Sequence, residues 1–94
     1  MASISITRNH QLGLEGARRV SQKVVDKLAE KFGLSSGGWQ GNSLAFYRPG
    51  VDGKVQISDS RVEVTIELGF MFAGFAGAIE QQLAASIDKA IAAG

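Results

Sequence analysis

The sequence predicts an α+β domain in which an antiparallel meander of about five strands carries two helices on one face. Three patterns predict this fold: an alternating N-terminal strand, two long stretches of helical periodicity, and a series of short strands between them. The expected order is β-α-β-β-β-β-α. At 94 residues the chain has room for one hydrophobic core, so residues 1–94 are expected to form a single domain.

The first two elements are a short strand and a basic amphipathic helix. Ile4 and Ile6 alternate with polar residues, which is typical of a half-buried strand. A helix is expected from about Leu14 to Phe32, because apolar residues recur at three- and four-residue steps, and Gly33 is expected to cap it. The predicted apolar stripe consists of Leu14, Ala17, Val20, Val24, Leu28 and Phe32.

The middle of the chain alternates between strands and turns. Residues 35–38, Ser-Ser-Gly-Gly, are expected to form a loop, and Gly41-Asn42 the turn of a hairpin in which both positions tolerate positive φ. Further turns are expected at residues 49–53 and 59–60. Residues 39–40 and 43–48 are the strands expected on either side of the Gly41-Asn42 turn, and two more strands are expected at 54–58 and 61–68. The last of these directs Val62, Val64, Ile66 and Leu68 toward the core. The final helix is expected from about Gly77 to Ala93, with a buried stripe of Ile79, Leu83, Ile87 and Ile91.

Four large apolar residues, Phe70, Met71, Phe72 and Phe75, lie between the last strand and the last helix. Alternation continued from Leu68 sends Phe70 and Phe72 inward and Met71 outward. Burial in the core is the ordinary outcome for such residues. If part of the set is exposed instead, it forms an apolar patch that binds a partner or an oily surface. The sequence leaves both outcomes open.

Composition excludes several functional classes. The absence of Cys and the presence of one His exclude a disulfide framework, a thiol nucleophile and a multi-histidine metal site, so no metal or cofactor is expected. Glu63 and Glu67 lie about 13 Å apart along one strand, beyond the roughly 5–9.5 Å of paired catalytic carboxylates. No phosphate-binding or nucleophile motif is present. An enzyme is therefore not expected, and a net charge of +1 does not favour nucleic acid as a partner.

Three polar residues are candidates for a binding site: Arg8, His10 and Arg48. Both arginines share the strand parity of inward-facing residues. They are expected to lean toward the helix-covered face at a strand end, where they could grip a carboxylate bidentately. The alternative is that each extends from the sheet margin and pairs with a local acid. His10 is expected to be exposed in the turn between the first strand and the first helix.

Charge is unevenly placed along the chain. Residues 1–33 carry net +3 and residues 34–94 carry net −2, so the first helix has a basic outer face. This basic face consists of Arg18, Arg19, Lys23 and Lys27. The N-terminus lacks the pattern of a secretory signal, and no apolar stretch reaches the about 20 residues that a spanning helix needs. We therefore expect a cytoplasmic protein without a transmembrane segment.

Three parts of the sequence carry a family resemblance. The run Arg8 to Leu14, ahead of the basic helix, resembles the start of the putative polyhydroxyalkanoic acid system family. Trp39 to Arg48, followed by Gly50 to Gly53, resembles the central part of that family. Glu67 to Phe70 and Gly77 to Glu80 are similar to its C-terminal part. The resemblance covers nearly the whole chain, although the last helix lacks the basic residue expected near its start.

The resemblance implies a small bacterial protein associated with polyhydroxyalkanoate storage, with a role in granule formation or its regulation. We expect a non-enzymatic accessory protein, located at storage granules, that binds polyester or a granule protein through the apolar run. The basic face would be a second contact, for anionic lipid or an acidic partner. Two alternatives stay open: a module that binds a hydroxyacyl-type ligand in an apolar pocket, with Arg8 and Arg48 at its mouth, and a homodimer that uses the same apolar patch.

Overall fold

The computed structural model describes residues 2–94 and has the predicted element order. Its strands are β1 (Ala2–Asn9), β2 (Ser35–Gln40), β3 (Ser43–Arg48), β4 (Val51–Ile57) and β5 (Arg61–Leu68). Its long helices are α1 (Gly13–Phe32) and α2 (Ala76–Ala93). A short 3₁₀ helix, Phe70–Phe75, joins β5 to α2 and is called the aromatic segment below.

The five strands form one antiparallel sheet with the order β1-β5-β4-β3-β2. Strands β2 to β5 are a meander in which each strand pairs with the next in sequence. Strand β1 adds to the free edge of β5, with Ala2 opposite Leu68 and Asn9 opposite Arg61. The meander and the α+β class are therefore as predicted.

The core lies between one face of the sheet and the two helices, which also pack against each other. The alternating residues of β5 and the stripe of α2 point into it as predicted. The opposite face of the sheet is uncovered and largely polar, because successive side chains of a strand point to opposite faces. The buried strand residues are Ile4, Ile6, Leu44, Phe46, Val51, Val55, Ile57, Val62, Val64, Ile66 and Leu68.

Helix α1 has the predicted limits to within one residue, and Gly33 ends it. Gly33 has φ 67°, and both its N–H and that of Leu34 donate to the carbonyl of Ala29. The left-handed conformation at this position is one that glycine adopts without steric cost. Leu14 is the exception in the predicted stripe, since its side chain is exposed at the first turn of the helix.

The predicted loop at residues 35–38 is wrong, because these residues form most of strand β2. Ser35 and Ser36 pair with Tyr47 and Phe46 of β3, and the register shifts before Trp39. Two adjacent glycines lie at this irregularity. Because glycine has no side chain, this part of the strand shows no alternation of apolar and polar residues by which it could be recognised. The hairpin turn at Gly41-Asn42 is confirmed, but only Gly41 has positive φ.

The predicted turn at residues 49–53 is also too long. Strand β4 begins at Val51, so only Pro49 and Gly50 connect it to β3. Gly50 has φ 87°. A proline followed by a residue of positive φ is the signature of a tight type II turn. This turn sits at the edge of the region described next.

Candidate functional site

The aromatic segment departs from the sheet because the chain changes direction at Gly69. The N–H of Gly69 donates to the carbonyl of Gly50 at 2.8 Å, and the N–H of Phe72 donates to the carbonyl of Gly69 at 3.0 Å. The second bond closes a turn of 3₁₀ type, in which side chains no longer alternate between two faces. The strand period therefore stops at Leu68.

The turn exposes three of the four large side chains. Phe70 is 91% exposed, Met71 is 82% exposed and Phe75 is 58% exposed. Phe72 is half-buried and packs against the core. The prediction that Phe70 faces inward is wrong, whereas the inward Phe72 and outward Met71 are confirmed.

Phe72 anchors the segment on the turn between β3 and β4. Its ring lies so close to Gly50 that a Cβ at residue 50 would be 3.0 Å from two ring carbons. The rings of Phe72 and Phe75 have centroids 6.5 Å apart and planes inclined by 49°, a geometry typical of packed aromatic pairs. Residues 69–79 include no charged side chain, so the segment itself contributes no charge to the surface.

A pocket of about 330 Å³ lies beside this anchor, between the end of α1 and the inner face of the sheet. Residues of α1 and α2, of strands β3, β4 and β5, and Phe72 form its walls. Two cationic side chains, Lys31 and Arg48, belong to its lining. The remaining lining residues are Leu28, Phe32, Gly33, Leu34, Phe46, Val51, Ile66, Leu68 and Ile79.

Arg48 ties the end of β3 to the end of α1 at the margin of this pocket. Its Nη1 donates to the carbonyl oxygen of Phe32 at 2.6 Å. Its guanidinium carbon lies 5.1 Å from the centroid of the Phe72 ring, within the distance at which cations are attracted to aromatic faces. The inward lean predicted for Arg48 at a strand end is therefore observed.

Arg8 lies at the other end of the sheet. It is opposite Val62, whereas Arg48 belongs to the row that runs through Val51 and Leu68 to Ala2 at the start of β1. The prediction that both arginines flank one pocket mouth is wrong. Arg8 Nε instead forms an ion pair with Asp88 of α2 at 2.8 Å, which is the local pairing considered as the alternative.

His10 is buried, with 7% of its surface exposed, so its predicted exposure is wrong. Its backbone N–H donates to the carbonyl of Ser60, and its Nδ1 accepts from the N–H of Leu12 at 3.1 Å. These bonds fix the crossing from β1 to α1. Nε2 has no hydrogen-bond partner within residues 2–94.

The predicted basic face divides into two pairs. The guanidinium of Arg18 lies over the ring of Trp39, 4.7 Å from the ring centroid, and donates a hydrogen bond to the carbonyl of Gly41. The guanidinium of Arg19 donates a hydrogen bond to the carbonyl of Gly94. These two arginines hold α1 to the hairpin and to the C-terminus. Lys23 and Lys27 are exposed and line a small groove between α1 and α2.

Some pocket residues were not predicted from the sequence. The sequence pattern gives Lys31 and Leu34 no role in a site, and it places Val51 in the turn expected at residues 49–53. One sequence signal relates to these residues, namely the glycine expected to cap α1. The chain turns at Gly33, so residues before and after it lie near the sheet. Their meeting with Phe72 depends on tertiary packing.

Residues 2–94 include no group of three or more His, Asp and Glu side chains placed to hold a metal ion. None of the helices in this part of the chain is both long and apolar enough to span a bilayer.

Comparison with known proteins identifies one family. A family model described as "Putative polyhydroxyalkanoic acid system protein" matches residues 4–91, which include every strand at least in part, the aromatic segment and nearly all of α2. No curated protein and no solved structure matches this chain.

Proposed function

This chain belongs to the putative polyhydroxyalkanoic acid system protein family, and on that premise we propose that it adheres to polyhydroxyalkanoate granules through its aromatic segment. In this proposal the protein is an accessory factor that catalyses no reaction. Its partner is the polyester surface or a granule-associated protein, and its location is the storage granule.

The exposure of Phe70 and Met71 is the observation that carries the proposal. Large apolar side chains are seldom left more than four-fifths exposed, and adjacent ones form the kind of surface patch that marks a binding site. Phe75 extends this patch by one further ring. Because the segment is uncharged, it would transfer to an oily surface without the cost of burying a charge.

Anchoring of the segment favours binding. The Gly69–Gly50 hydrogen bond and the packing of Phe72 on Gly50 hold the exposed side chains on an ordered turn. Less conformational entropy is then lost when they are buried against a surface. Burial of about 300 Å² would supply roughly 7 kcal/mol at about 25 cal/mol per Å², before the cost of association.

A second contact is proposed for Lys23 and Lys27. Both side chains are exposed on α1, and their charges suit an anionic lipid headgroup or an acidic granule protein. Arg18 and Arg19 are committed to contacts within the domain, so they are expected to contribute less. The two lysines would add a salt-sensitive term to binding that is otherwise hydrophobic.

The test is co-sedimentation of the purified protein with polyhydroxyalkanoate particles, beside neutral and anionic lipid vesicles. The test variant is Phe70→Ser with Phe75→Ser, which removes two exposed rings and leaves the Phe72 anchor in place. Tyr47→Ser is the matched control, because Tyr47 is 46% exposed on β3 and has the strand parity of the uncovered face of the sheet. Circular dichroism verifies that each variant is folded.

Polyester binding that the Phe70/Phe75 variant loses and the Tyr47 variant keeps would support the proposal. Equal binding to every oily surface, or no binding by the folded wild-type protein, would overturn it. The alternative is a homodimer formed through the same apolar patch. Light scattering over a range of protein concentrations tests it by measuring the molecular mass. A dimer that the same double variant dissociates would assign the patch to self-association.

A further inference from the structure

We infer that the pocket beside Arg48 binds a medium-chain aliphatic carboxylate, with the hydrocarbon tail inside and the carboxylate at Arg48. This site is separate from the exposed surface proposed above and shares only Phe72 with it. The inference therefore does not depend on granule binding.

The size and lining of the pocket suit a hydrocarbon chain. Apart from Lys31 and Arg48, its lining side chains are apolar, and Gly33 adds none. Its volume of about 330 Å³ is at the lower end of the usual range for ligand pockets. This volume has room for an aliphatic tail of medium length, which would lie mainly against the half-buried side chains of Phe32, Leu34 and Phe72.

The charges at the margin select an anion. Lys31 and Arg48 are cationic, and no acidic residue belongs to the lining. Arg48 uses Nη1 for the Phe32 carbonyl, whereas its Nε and Nη2 have no hydrogen-bond partner among the described residues. Two free N–H directions on one planar guanidinium match the two oxygens of a carboxylate.

The position of Arg48 supports this role. Its bond to Phe32 and its stacking on Phe72 restrain the guanidinium at the pocket margin, so little side-chain freedom is left to lose on binding. A neighbouring groove between α1 and α2 is larger, at about 560 Å³, but its lining is mostly polar and includes Glu30. That groove lacks the apolar walls that would hold a tail.

Two sources could supply this chemistry: a free fatty or 3-hydroxy acid, and the carboxyl end of a polyester chain. Both present a carboxylate on an aliphatic chain. Sodium decanoate and 3-hydroxydecanoate represent the free acids. A short 3-hydroxybutyrate oligomer with a free carboxyl end represents the polymer, and its methyl ester is the control without charge.

The experiment titrates ¹⁵N-labelled protein with each probe by NMR, below the concentration at which decanoate forms micelles, and measures affinity by calorimetry. Decanol, which has the tail but no charge, measures the contribution of the tail to the binding affinity. Acetate, which has the carboxylate but no long tail, measures the contribution of the charge. We expect saturable shifts at the amides of Gly33, Leu34 and Val51 with decanoate, much weaker binding of decanol, and none of acetate.

Two variants and a control test the assigned residues. Arg48→Gln is expected to weaken decanoate binding roughly tenfold to a hundredfold, as for the loss of a charge-assisted hydrogen bond. Leu34→Phe, which narrows the pocket and leaves its charge, is expected to weaken decanoate more than the shorter hexanoate. Arg61→Gln removes an exposed arginine outside the pocket and is expected to bind decanoate as the wild type does.

The inference fails if folded wild-type protein binds neither the free acids nor the oligomer. It also fails if decanol binds as tightly as decanoate, if Arg48→Gln binds unchanged, or if the shifts are confined to Phe70 and Met71. Selective binding of the free acids or of the acid-ended oligomer supports it and identifies the source. Phe70→Ser removes a side chain outside the pocket lining and is expected to bind decanoate as the wild type does, so the two proposals fail separately.

Discussion

The ring of Phe46 lies across Gly53, its partner on the neighbouring strand, in the space that a side chain at residue 53 would occupy. Phe46 is completely buried, and a Cβ at Gly53 would overlap its ring. An aromatic ring that covers a strand glycine fills the gap left by the missing side chain. The absence of a side chain at Gly53 therefore makes room for a large ring in the core beside β3 and β4.

Gly53→Ala is expected to destabilise the domain. The added methyl group meets a buried ring that the surrounding core confines, and overpacking of this kind costs about 1–3 kcal/mol. Urea denaturation followed by circular dichroism measures the free energy of unfolding. Gly74→Ala is the control, because a Cβ at Gly74 would have no neighbour within 4 Å. Equal stability of Gly53→Ala and the wild type would contradict the packing described.

The same substitution is expected to lower stability much less at Phe70 than at Phe72. Phe70→Ser removes a side chain that is 91% exposed and should change the free energy of unfolding by no more than about 0.5 kcal/mol. Phe72→Ser removes the half-buried anchor and should cost about 2 kcal/mol or more. Thermal denaturation compares the two variants. A larger loss for Phe70→Ser would mean that the segment is packed differently.

The ion pair between Arg8 and Asp88 is expected to contribute little. Their side chains are 38% and 57% exposed, and exposed pairs are typically worth at most about 1 kcal/mol. A double-mutant cycle with Arg8→Gln and Asp88→Asn isolates the coupling energy between them. Repetition at high salt should reduce this coupling, because ions screen exposed charges. A coupling of several kcal/mol would contradict the exposure of the pair.

Gln22→Ala is expected to loosen the contact between α1 and β2. Trp39 Nε1 donates to Gln22 Oε1 at 2.8 Å, and loss of the acceptor should cost about 1 kcal/mol. Trp39 is the sole tryptophan of the sequence, so its fluorescence reports this contact without interference. The expected result is a shift in its emission and a lower unfolding midpoint. Gln81→Ala, on the exposed side of α2, should leave both unchanged.

Most elements could be predicted because their side chains repeat with the period of the structure they form. Strand β5 and helix α2 are the best cases, since an unbroken apolar pattern specifies both their type and the face they bury. Residues 35–38 of strand β2 could not be recognised, because these serines and glycines carry no such pattern. Only residues 39–40, next to the hairpin turn, were predictable as a strand that pairs with β3.

The candidate site was harder to predict than the fold. Strand parity identified the face on which Arg8 and Arg48 lie, but not the end of the sheet. Three antiparallel pairings separate β1 from β3, so these two strands run in opposite directions. Their last residues therefore lie at opposite ends of the sheet, measured along the strands. The exposure of Phe70 likewise depends on the Gly69–Gly50 hydrogen bond, which joins residues far apart in the sequence.

The place of β1 at the edge of β5 has a consequence for the kinetics of folding. Strands β2 to β5 join through short connections, so their hairpins close small loops. Pairing of Ala2 with Leu68 closes a loop that spans about two-thirds of the chain, and long-range contacts of this kind carry the largest loop-closure cost. We expect the meander to assemble first and β1 to dock last, after the transition state for folding has been crossed. Substitutions at Ile4 would then mainly accelerate unfolding, whereas substitutions within the meander would slow folding.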